Sequence, residues 1–255
     1  MTGSEELRLI DAADALLNAR RTCSPIADLP ANLQPRSLEE AYAIQGHMAA
    51  TLGEIGGWKI GAPSANATPK FAPMPRAWIA PSDSTLAGER WRFRGLEAEI
   101  AFLVGNDLPP RAQPYTREET LAAMASCHPA IEVLESAFAD PSQATPLAKN
   151  ADLQVHGGFV YGAAVSNWQS IDFTKEKVIL ACDGVVRVER TGSNTAGDLL
   201  RLLPWLANEG AARTGGLRKG QWITTGSWTG NTLASPGSVI EVKFSTVGRV
   251  DLRFA

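Results

Sequence analysis

Two glutamates, Glu97 and Glu99, lie one residue apart in LEAEIAFLVG (96–105), a stretch that is otherwise apolar. Its β-branched and aromatic residues predict a strand, and residues i and i+2 of a strand point to the same face. The two carboxylates therefore project together. Like charges in a half-buried setting repel each other and resist the loss of water. A divalent cation removes both penalties, because Mg²⁺ and Mn²⁺ prefer oxygen ligands and let carboxylates approach closely.

A third carboxylate would complete such a site and leave positions for substrate and water. The best candidate is Glu132 in PAIEVLES, because Ile131 and Val133 on either side draw that segment inward. The alternative is an ordinary solvated strand. Glu-x-Glu pairs commonly face water on an antiparallel sheet, and a lone strand glutamate is commonly exposed or paired with an arginine. The spacing alone leaves both interpretations open.

The first fifty residues carry the helical patterns. The segment SEELRLIDAADALLNARR has apolar residues at helical spacing. A second helix is predicted to begin with a capping box formed by Ser37 and Glu40 and to stop at Gly53. These two helices would pack against the strands that follow.

Strand patterns dominate from residue 56 onward, interrupted by short helical insertions. A capping box at Thr116 and Glu119 predicts a helix over 116–128. Two β-rich runs flank Asp183-Gly184, a pair suited to a type I′ hairpin turn. Together the patterns predict an α+β fold with a mixed, strongly curved sheet.

The composition is that of a soluble globular protein with a sizeable core: 255 residues, 44% hydrophobic, 20% charged, net charge -3. No basic run supports binding to nucleic acid or to a membrane surface. The N-terminus lacks a signal-peptide layout, and no apolar stretch approaches the ~20 residues that cross a bilayer. No linker separates independent domains, so one catalytic domain is expected over 1–255, with 1–53 packed on 56–255. The scattered cysteines predict buried thiols in a reducing cytoplasm, namely Cys23, Cys127 and Cys182.

Several segments occur in the order expected of one protein family. Together they resemble the 2-keto-4-pentenoate hydratase and 4-oxalocrotonate decarboxylase branch of the fumarylacetoacetate hydrolase superfamily. No single motif is specific, but five in register are, and the likeness runs from SLEEAYAIQ (37–45) to the C-terminus. The segments are GGWKIGAPS (56–64), EAEIAFLVGNDLP (97–109), HPAIEVLES (128–136), GGFVYGAAV (157–165), and LRKGQWITTGSWTGN (217–231) followed by PGSVIEVKFSTVGRVDLRF (236–254).

This resemblance implies a mixed β-roll with peripheral helices and a site for Mg²⁺ or Mn²⁺. It places Glu97, Glu99 and Glu132 at the family's metal-ligand positions. It also implies a substrate that is a 2-oxo acid or its 2-hydroxydienoate enol, whose carboxylate and adjacent oxygen form a chelating pair. Family members usually assemble as homo-oligomers, which we expect here.

Two residues of the GWKIGAPS loop are expected near the substrate. Lys59 alternates with Trp58 and Ile60, and the flanking glycines permit close backbone approach. The family motif keeps a lysine near the substrate carboxylate or enol oxygen, where Lys59 would serve as charge partner and proton donor. The alternative is an exposed, solubilising lysine. Ser64 would donate to the substrate carboxylate or serve only as a turn hydroxyl.

Two further candidates come from later segments. In TTGSWTGN (224–231) the hydroxyls of Thr225, Ser227 and Thr229 are possible donors to the substrate carboxylate, and Thr229 matches the family's pattern best. The alternative is a tight hairpin that needs Gly and Thr for geometry alone. His156 lies in a segment that enters the family's active site, where it would orient or deprotonate the attacking water.

The chain departs from the family's pattern where the far end of the substrate would bind. Many hydratases carry an acidic residue soon after the lysine loop. Here no acidic residue lies between that loop and Asp83, and Arg76 occupies part of this stretch. Serines often found near residue 152 are replaced by ADLQVHGG. These positions decide between hydration, decarboxylation and hydrolysis.

The expected activity is metal-dependent hydration of a 2-hydroxy-2,4-dienoate to a 4-hydroxy-2-oxo acid, in the catabolism of aromatic compounds. Decarboxylation of an oxalocrotonate-like diacid and hydrolysis of an acylpyruvate are the enzymatic alternatives. A non-catalytic partner subunit of such an enzyme is the third.

Overall fold

The computed structural model describes residues 3–255, which form five α-helices and thirteen strands. The helices are α1 (Gly3–Arg21), α2 (Leu38–Leu52), α3 (Arg117–Ala122), α4 (Pro146–Ala151) and α5 (Leu202–Trp205). The strands are β1 (Ile55–Gly61), β2 (Lys70–Pro75), β3 (Ile79–Pro81), β4 (Ser84–Leu86), β5 (Gly95–Val104), β6 (Met124–Leu134), β7 (His156–Tyr161), β8 (Lys177–Cys182), β9 (Val185–Thr191), β10 (Trp222–Thr224), β11 (Thr232–Leu233), β12 (Val239–Phe244) and β13 (Gly248–Phe254).

The strands form two mixed sheets. The first has the order β2-β1-β10-β5-β6-β7-β3, with β11 also paired to β5, and the second has the order β4-β13-β12-β8-β9. Parallel pairs such as β1 with β10 occur beside antiparallel ones such as β5 with β6. The predicted mixed α+β fold is confirmed. The strongly curved roll is not, because neither sheet closes on itself.

Apolar side chains from both sheets meet in one core. Ile100 and Phe102 of β5 belong to the same buried cluster as Leu180 of β8 and Val242 of β12. Burial on both faces explains why β5 is apolar almost throughout. The metal-ligand candidates interrupt this run, so their position has to be compensated by other groups.

The N-terminal helices pack through a second apolar cluster. Leu9 and Leu16 of α1, and Ile44 and Met48 of α2, are buried with Phe138 and other residues of the strand-rich part. This packing joins the helices to the region behind β6. The assignment of the whole chain to one catalytic domain stays a prediction. No helix within residues 3–255 is long and apolar enough to cross a membrane.

Local signals for helix α2 were mostly correct. Ser37 accepts a hydrogen bond from the Glu40 backbone amide, and Gly53 ends the helix with a φ of 100°. The predicted capping box is only half formed, because the Glu40 carboxylate accepts from the amide of Arg36 at 2.7 Å rather than from Ser37. The helix is therefore capped at both ends, but the Glu40 carboxylate binds the Arg36 amide instead of the predicted Ser37 amide.

The segment after Thr116 corrects one prediction. The capping box with Glu119 is present, but α3 ends at Ala122 and β6 begins at Met124 instead of the helix continuing to residue 128. Pairing of β6 with β5 along its length overrides the local helical pattern. His128 is consequently a strand residue and not the end of a helix.

The hairpin and thiol predictions are confirmed with one exception. Asp183 and Gly184 join β8 to β9 with φ values of 54° and 75°, as a type I′ turn requires. All three cysteines are free thiols, and Cys127 and Cys182 are buried. Cys23 is only half-buried.

Candidate metal centre

Two neighbouring central strands bring the three acidic candidates together. In the antiparallel register of β5 and β6, Glu97 lies directly opposite Glu132, and Glu99 follows on the same face of β5. One carboxylate oxygen from each of the three lies within 4.8 Å of the other two. Glu132 is 0% and Glu99 2% exposed. Glu97 is half-buried, so the structure does not support the alternative in which both glutamates of the pair lie in solvent on an outer face.

Polar groups on β10 and the turn after it hold the two β5 glutamates. Glu99 accepts hydrogen bonds from the hydroxyl of Thr224 and from the amide of Gly226, the latter at 2.9 Å. A hydrogen bond from Ser227 reaches Glu97. These donors fix the orientation of both carboxylates. They leave the carboxylates without a full countercharge.

Glu132 is held by Lys59 and His156. The Nζ of Lys59 lies 2.6 Å from Oε1 of Glu132, and Nδ1 of His156 lies 2.9 Å from the same oxygen. The second oxygen, Oε2, is buried without a hydrogen-bond partner within residues 3–255. A buried carboxylate oxygen normally has a partner, so this one is available to a ligand.

The electrostatics of the cluster are unbalanced. Burial, followed by repulsion from Glu132 and Glu97, raises the pKa of Glu99 well above its ordinary value. Burial also raises the pKa of Glu97, although Lys59 opposes the shift. For Glu132, Lys59 and His156 outweigh burial and lower the pKa. One lysine thus faces three carboxylates.

These residues fit a divalent cation that prefers oxygen ligands. Three carboxylates converge, one buried oxygen lacks a partner, and positive charge is in deficit. A cation of the Mg²⁺, Mn²⁺ or Ca²⁺ type would meet all three conditions with carboxylate ligands and keep positions for other oxygens. Glu97, Glu99 and Glu132 would hold it.

Lys59 lies inside the site, not on the surface. It is 9% exposed, and besides Glu132 it contacts the carbonyl oxygen of Gln154 at 3.0 Å. Burial alone would lower the pKa of Lys59, but Glu132 and Glu97 outweigh it and raise the pKa. The ammonium group is therefore charged. An ammonium has three hydrogens, so two contacts leave one for a ligand.

His156 lies behind Glu132. Its ring is 0% exposed and stacks on Trp78, with ring centroids 5.9 Å apart. Burial lowers the pKa of His156 despite the neighbouring Glu132, so the ring is neutral with its Nδ1 hydrogen donated to the carboxylate. The described lining of the cavity at the glutamates does not include His156. The predicted action of His156 on an attacking water stays a prediction.

The cavity at the glutamates has a volume of about 300 Å³. Ser227 lines it, whereas Ser64 and Thr229 are not among its described lining residues. Ser64 is exposed in the turn after β1. Thr229 is buried, and its hydroxyl accepts from the amide of Ala98 and donates to the carbonyl of Gly230, each at 3.0 Å. Substrate binding by Ser64 and Thr229 stays a prediction.

The structure adds cavity residues that sequence reasoning missed. Gln154 and Arg190 line the cavity, and Thr224 holds Glu99. Thr224 is the first residue of the TTGSWTGN segment, so that motif could have indicated it. Gln154 and Arg190 gave no signal, because they belong to a left-handed turn and to the second sheet. A larger cavity of about 670 Å³ lies near Trp78, and its described lining residues form no such cluster of carboxylates.

Comparisons with known proteins agree with this fold. No family model matches the chain. The chain is 28% identical over 257 residues to a 2-keto-4-pentenoate hydratase of Paraburkholderia xenovorans (strain LB400), which covers 96% of this chain and 94% of the relative. The structure of 4-oxalocrotonate decarboxylase from Pseudomonas putida G7, complexed with magnesium and adipate, superposes with a TM-score of 0.84 at 22% identity and covers 97% of both chains.

The chain is similar in sequence to 2-keto-4-pentenoate hydratases and 4-oxalocrotonate decarboxylases. The resemblance predicted from the sequence is thereby confirmed. A more distant neighbour is the fumarylpyruvate hydrolase from Pseudomonas aeruginosa in complex with Mn²⁺ and pyruvate, with a TM-score of 0.58, 13% identity, and coverage of 78% of this chain and 88% of that one. Divalent metals thus occur in structures of both neighbours.

Proposed function

We propose that this protein is a Mg²⁺- or Mn²⁺-dependent hydratase that adds water to a 2-hydroxy-2,4-dienoate and yields a 4-hydroxy-2-oxo acid. The observation that carries the proposal is the convergence of Glu97, Glu99 and Glu132 beside Lys59 in one cavity. The near full-length likeness to a 2-keto-4-pentenoate hydratase favours hydration as the reaction.

The cation, when bound, would supply the positive charge that favours the enolate form of a 2-oxo acid. The other contributions come from the chain itself. Lys59 is charged and has one hydrogen left for the substrate's carboxylate or enol oxygen. His156 keeps Glu132 oriented by its hydrogen bond, so it acts as a positioning residue. Ser227 lines the cavity and donates its hydroxyl hydrogen to Glu97, so it helps to orient that carboxylate.

The decisive assay follows the loss of dienol absorbance for a panel of 2-hydroxydienoates. Activity should require added Mg²⁺ or Mn²⁺, disappear on chelation, and fall by at least about a hundredfold in Glu99→Gln, because the variant loses one of the three carboxylates that would hold the charge-stabilising cation. Glu54→Gln is the matched control, because Glu54 is exposed and pairs only with Arg76 at the surface. Full activity after exhaustive chelation would refute the proposal.

Decarboxylation is the second candidate, favoured by the fold likeness to a 4-oxalocrotonate decarboxylase crystallised with magnesium and a diacid. Product analysis separates the reactions. A 4-hydroxy-2-oxo acid indicates hydration, release of CO₂ indicates decarboxylation, and a new free acid indicates hydrolysis. Metal-dependent binding of oxalate without turnover of any compound would indicate a non-catalytic partner subunit.

Three further features belong to the proposal. We propose that the protein is cytoplasmic, that it forms a homo-oligomer and that it serves the catabolism of aromatic compounds. The relatives' names support a small-molecule oxo acid as its partner. Size-exclusion chromatography with light scattering tests the oligomeric state.

A further inference from the structure

Arg190 enters the metal-site cavity from the second sheet. It lies on β9, the edge strand of that sheet, where Val188 and Arg190 share one face. Val188 packs against the core, so this face is directed inward, and Arg190 lines the cavity together with the three glutamates. Its neighbour Glu189 points the other way and pairs with Lys177.

Arg190 has no acidic partner within residues 3–255. The neighbouring acidic residue on the strand, Glu189, already forms an ion pair with Lys177. The side chain is exposed at the cavity, so it keeps its water in the free protein. A guanidinium in such a position is a ready donor for a planar, bidentate acceptor, and carboxylate is the commonest one.

A second donor in the cavity is also unsatisfied. The side-chain Nε2 of Gln154 is buried without a hydrogen-bond partner within the described chain. Gln154 lies in a turn in which three successive residues have positive φ, 53° at Leu153, 52° at Gln154 and 65° at Val155. Such backbone is unfavourable for residues with a Cβ atom, and it occurs mainly at functional sites. The turn brings Gln154 to the cavity wall.

The other hydroxyls near Arg190 are already occupied. Ser193 donates to the carbonyl of Trp228 at 2.6 Å, and Thr195 donates to the carbonyl of Ala62 at 2.8 Å. Apart from the one free hydrogen of Lys59 beside the glutamates, the side-chain donors that remain among the described lining residues are the Arg190 guanidinium and the Gln154 amide. A cavity with cation ligands at one part and two unsatisfied donors at others fits a ligand with oxygen acceptors at both ends.

We propose that Arg190 binds a second carboxylate of the substrate, so that the protein prefers a dicarboxylic 2-oxo acid over a monocarboxylic one. This inference rests on the proposed function, because the 2-oxo head group is assigned to the cation site formed by the glutamates. The Gln154 amide donates to an oxygen of the same ligand. The cavity of about 300 Å³ lies at the small end of the usual range for ligand pockets, about 300–1,000 Å³, which suits a short-chain diacid.

The test compares two probes that differ only at the far end, 2-oxoadipate and 2-oxohexanoate. Their dissociation constants are measured by calorimetry on the Mg²⁺-loaded protein. The wild type should bind 2-oxoadipate about tenfold more tightly, as expected for one charge-assisted contact at a partly exposed site. Arg190→Gln should abolish this preference and leave the affinity for 2-oxohexanoate unchanged.

Arg187→Gln is the matched control, because Arg187 lies on the same strand but does not line the cavity. It should keep the preference, which excludes a general effect of net charge. Equal affinity of the wild type for both probes would overturn the inference. So would an equal loss for both probes in Arg190→Gln, since that result assigns Arg190 to the common head group. If neither probe binds in the presence of Mg²⁺, the proposed function itself fails. If both probes bind but the wild type does not distinguish them, only the inference about Arg190 fails.

Discussion

Replacing Glu99 by Gln should separate stability from metal binding. Glu99 is 2% exposed, and burial and repulsion from Glu132 and Glu97 raise its pKa, so the charged form is unfavourable in the metal-free protein. A glutamine has the same shape and keeps an oxygen that accepts from Thr224 and Gly226. We therefore expect metal-free Glu99→Gln to be at least as stable as the wild type.

The same variant should lose the stabilisation by metal. A ligand present at 100 times its dissociation constant stabilises the native state by about 2.7 kcal/mol. With a typical unfolding entropy per residue, a chain of 255 residues then gains about 5 °C in melting temperature. The wild type should show this increase in Mg²⁺. In Glu99→Gln the increase should be close to zero, because one of three ligands is lost.

The assay is thermal unfolding with Mg²⁺ and with chelator, for the wild type, Glu99→Gln and the surface control Glu54→Gln. The control should behave as the wild type, because its carboxylate pairs with Arg76, and neither residue is among the described lining residues of the cavity at the glutamates. An equal Mg²⁺-dependent increase in Glu99→Gln and the wild type would refute the assignment. A large destabilisation of the metal-free variant would refute the electrostatic argument instead.

Two further predictions concern buried groups. Lys59→Met leaves the Glu132 carboxylate buried without a positively charged partner. The free energy of unfolding of the metal-free protein, measured in urea, should therefore fall by about 3–5 kcal/mol. A loss no greater than that of the exposed control Lys70→Met would contradict this. Burial lowers the pKa of His128, whose Nδ1 hydrogen is donated to Gly162. Because the folded ring stays neutral while the unfolded one takes a proton near pH 6.5, its contribution is complete above that pH and lost below it. The stability difference between the wild type and His128→Asn should therefore shrink from pH 8 to pH 5, and a constant difference would be contrary to this reasoning.

The sequence alone determined the parts of the site that depend on short-range geometry. The spacing of Glu97 and Glu99 required a common face on any strand, and their charge in an apolar run required compensation. Asp183-Gly184 specified its turn because few residue pairs tolerate two positive φ values. The apolar residues on either side of Glu132 suggested it as the third carboxylate. The ordered family segments supported this choice and added Lys59, which contacts Glu132.

Only the tertiary structure decided how the distant parts meet. The register of β5 against β6 places Glu132 opposite Glu97, and a shift by one residue would have turned it to the other face. The pairing of β6 with β5 overrides the local helical pattern after Thr116. It does so because each β6 residue packs against side chains of the neighbouring strand, which an isolated helix would not contact. Packing between segments far apart in the chain decides three other features of the site. These are the orientation of His156 behind Glu132, the left-handed turn at Gln154, and the entry of Arg190 from the second sheet. Local spacing thus fixes which side chains share a face, whereas long-range pairing fixes which faces enclose the cavity.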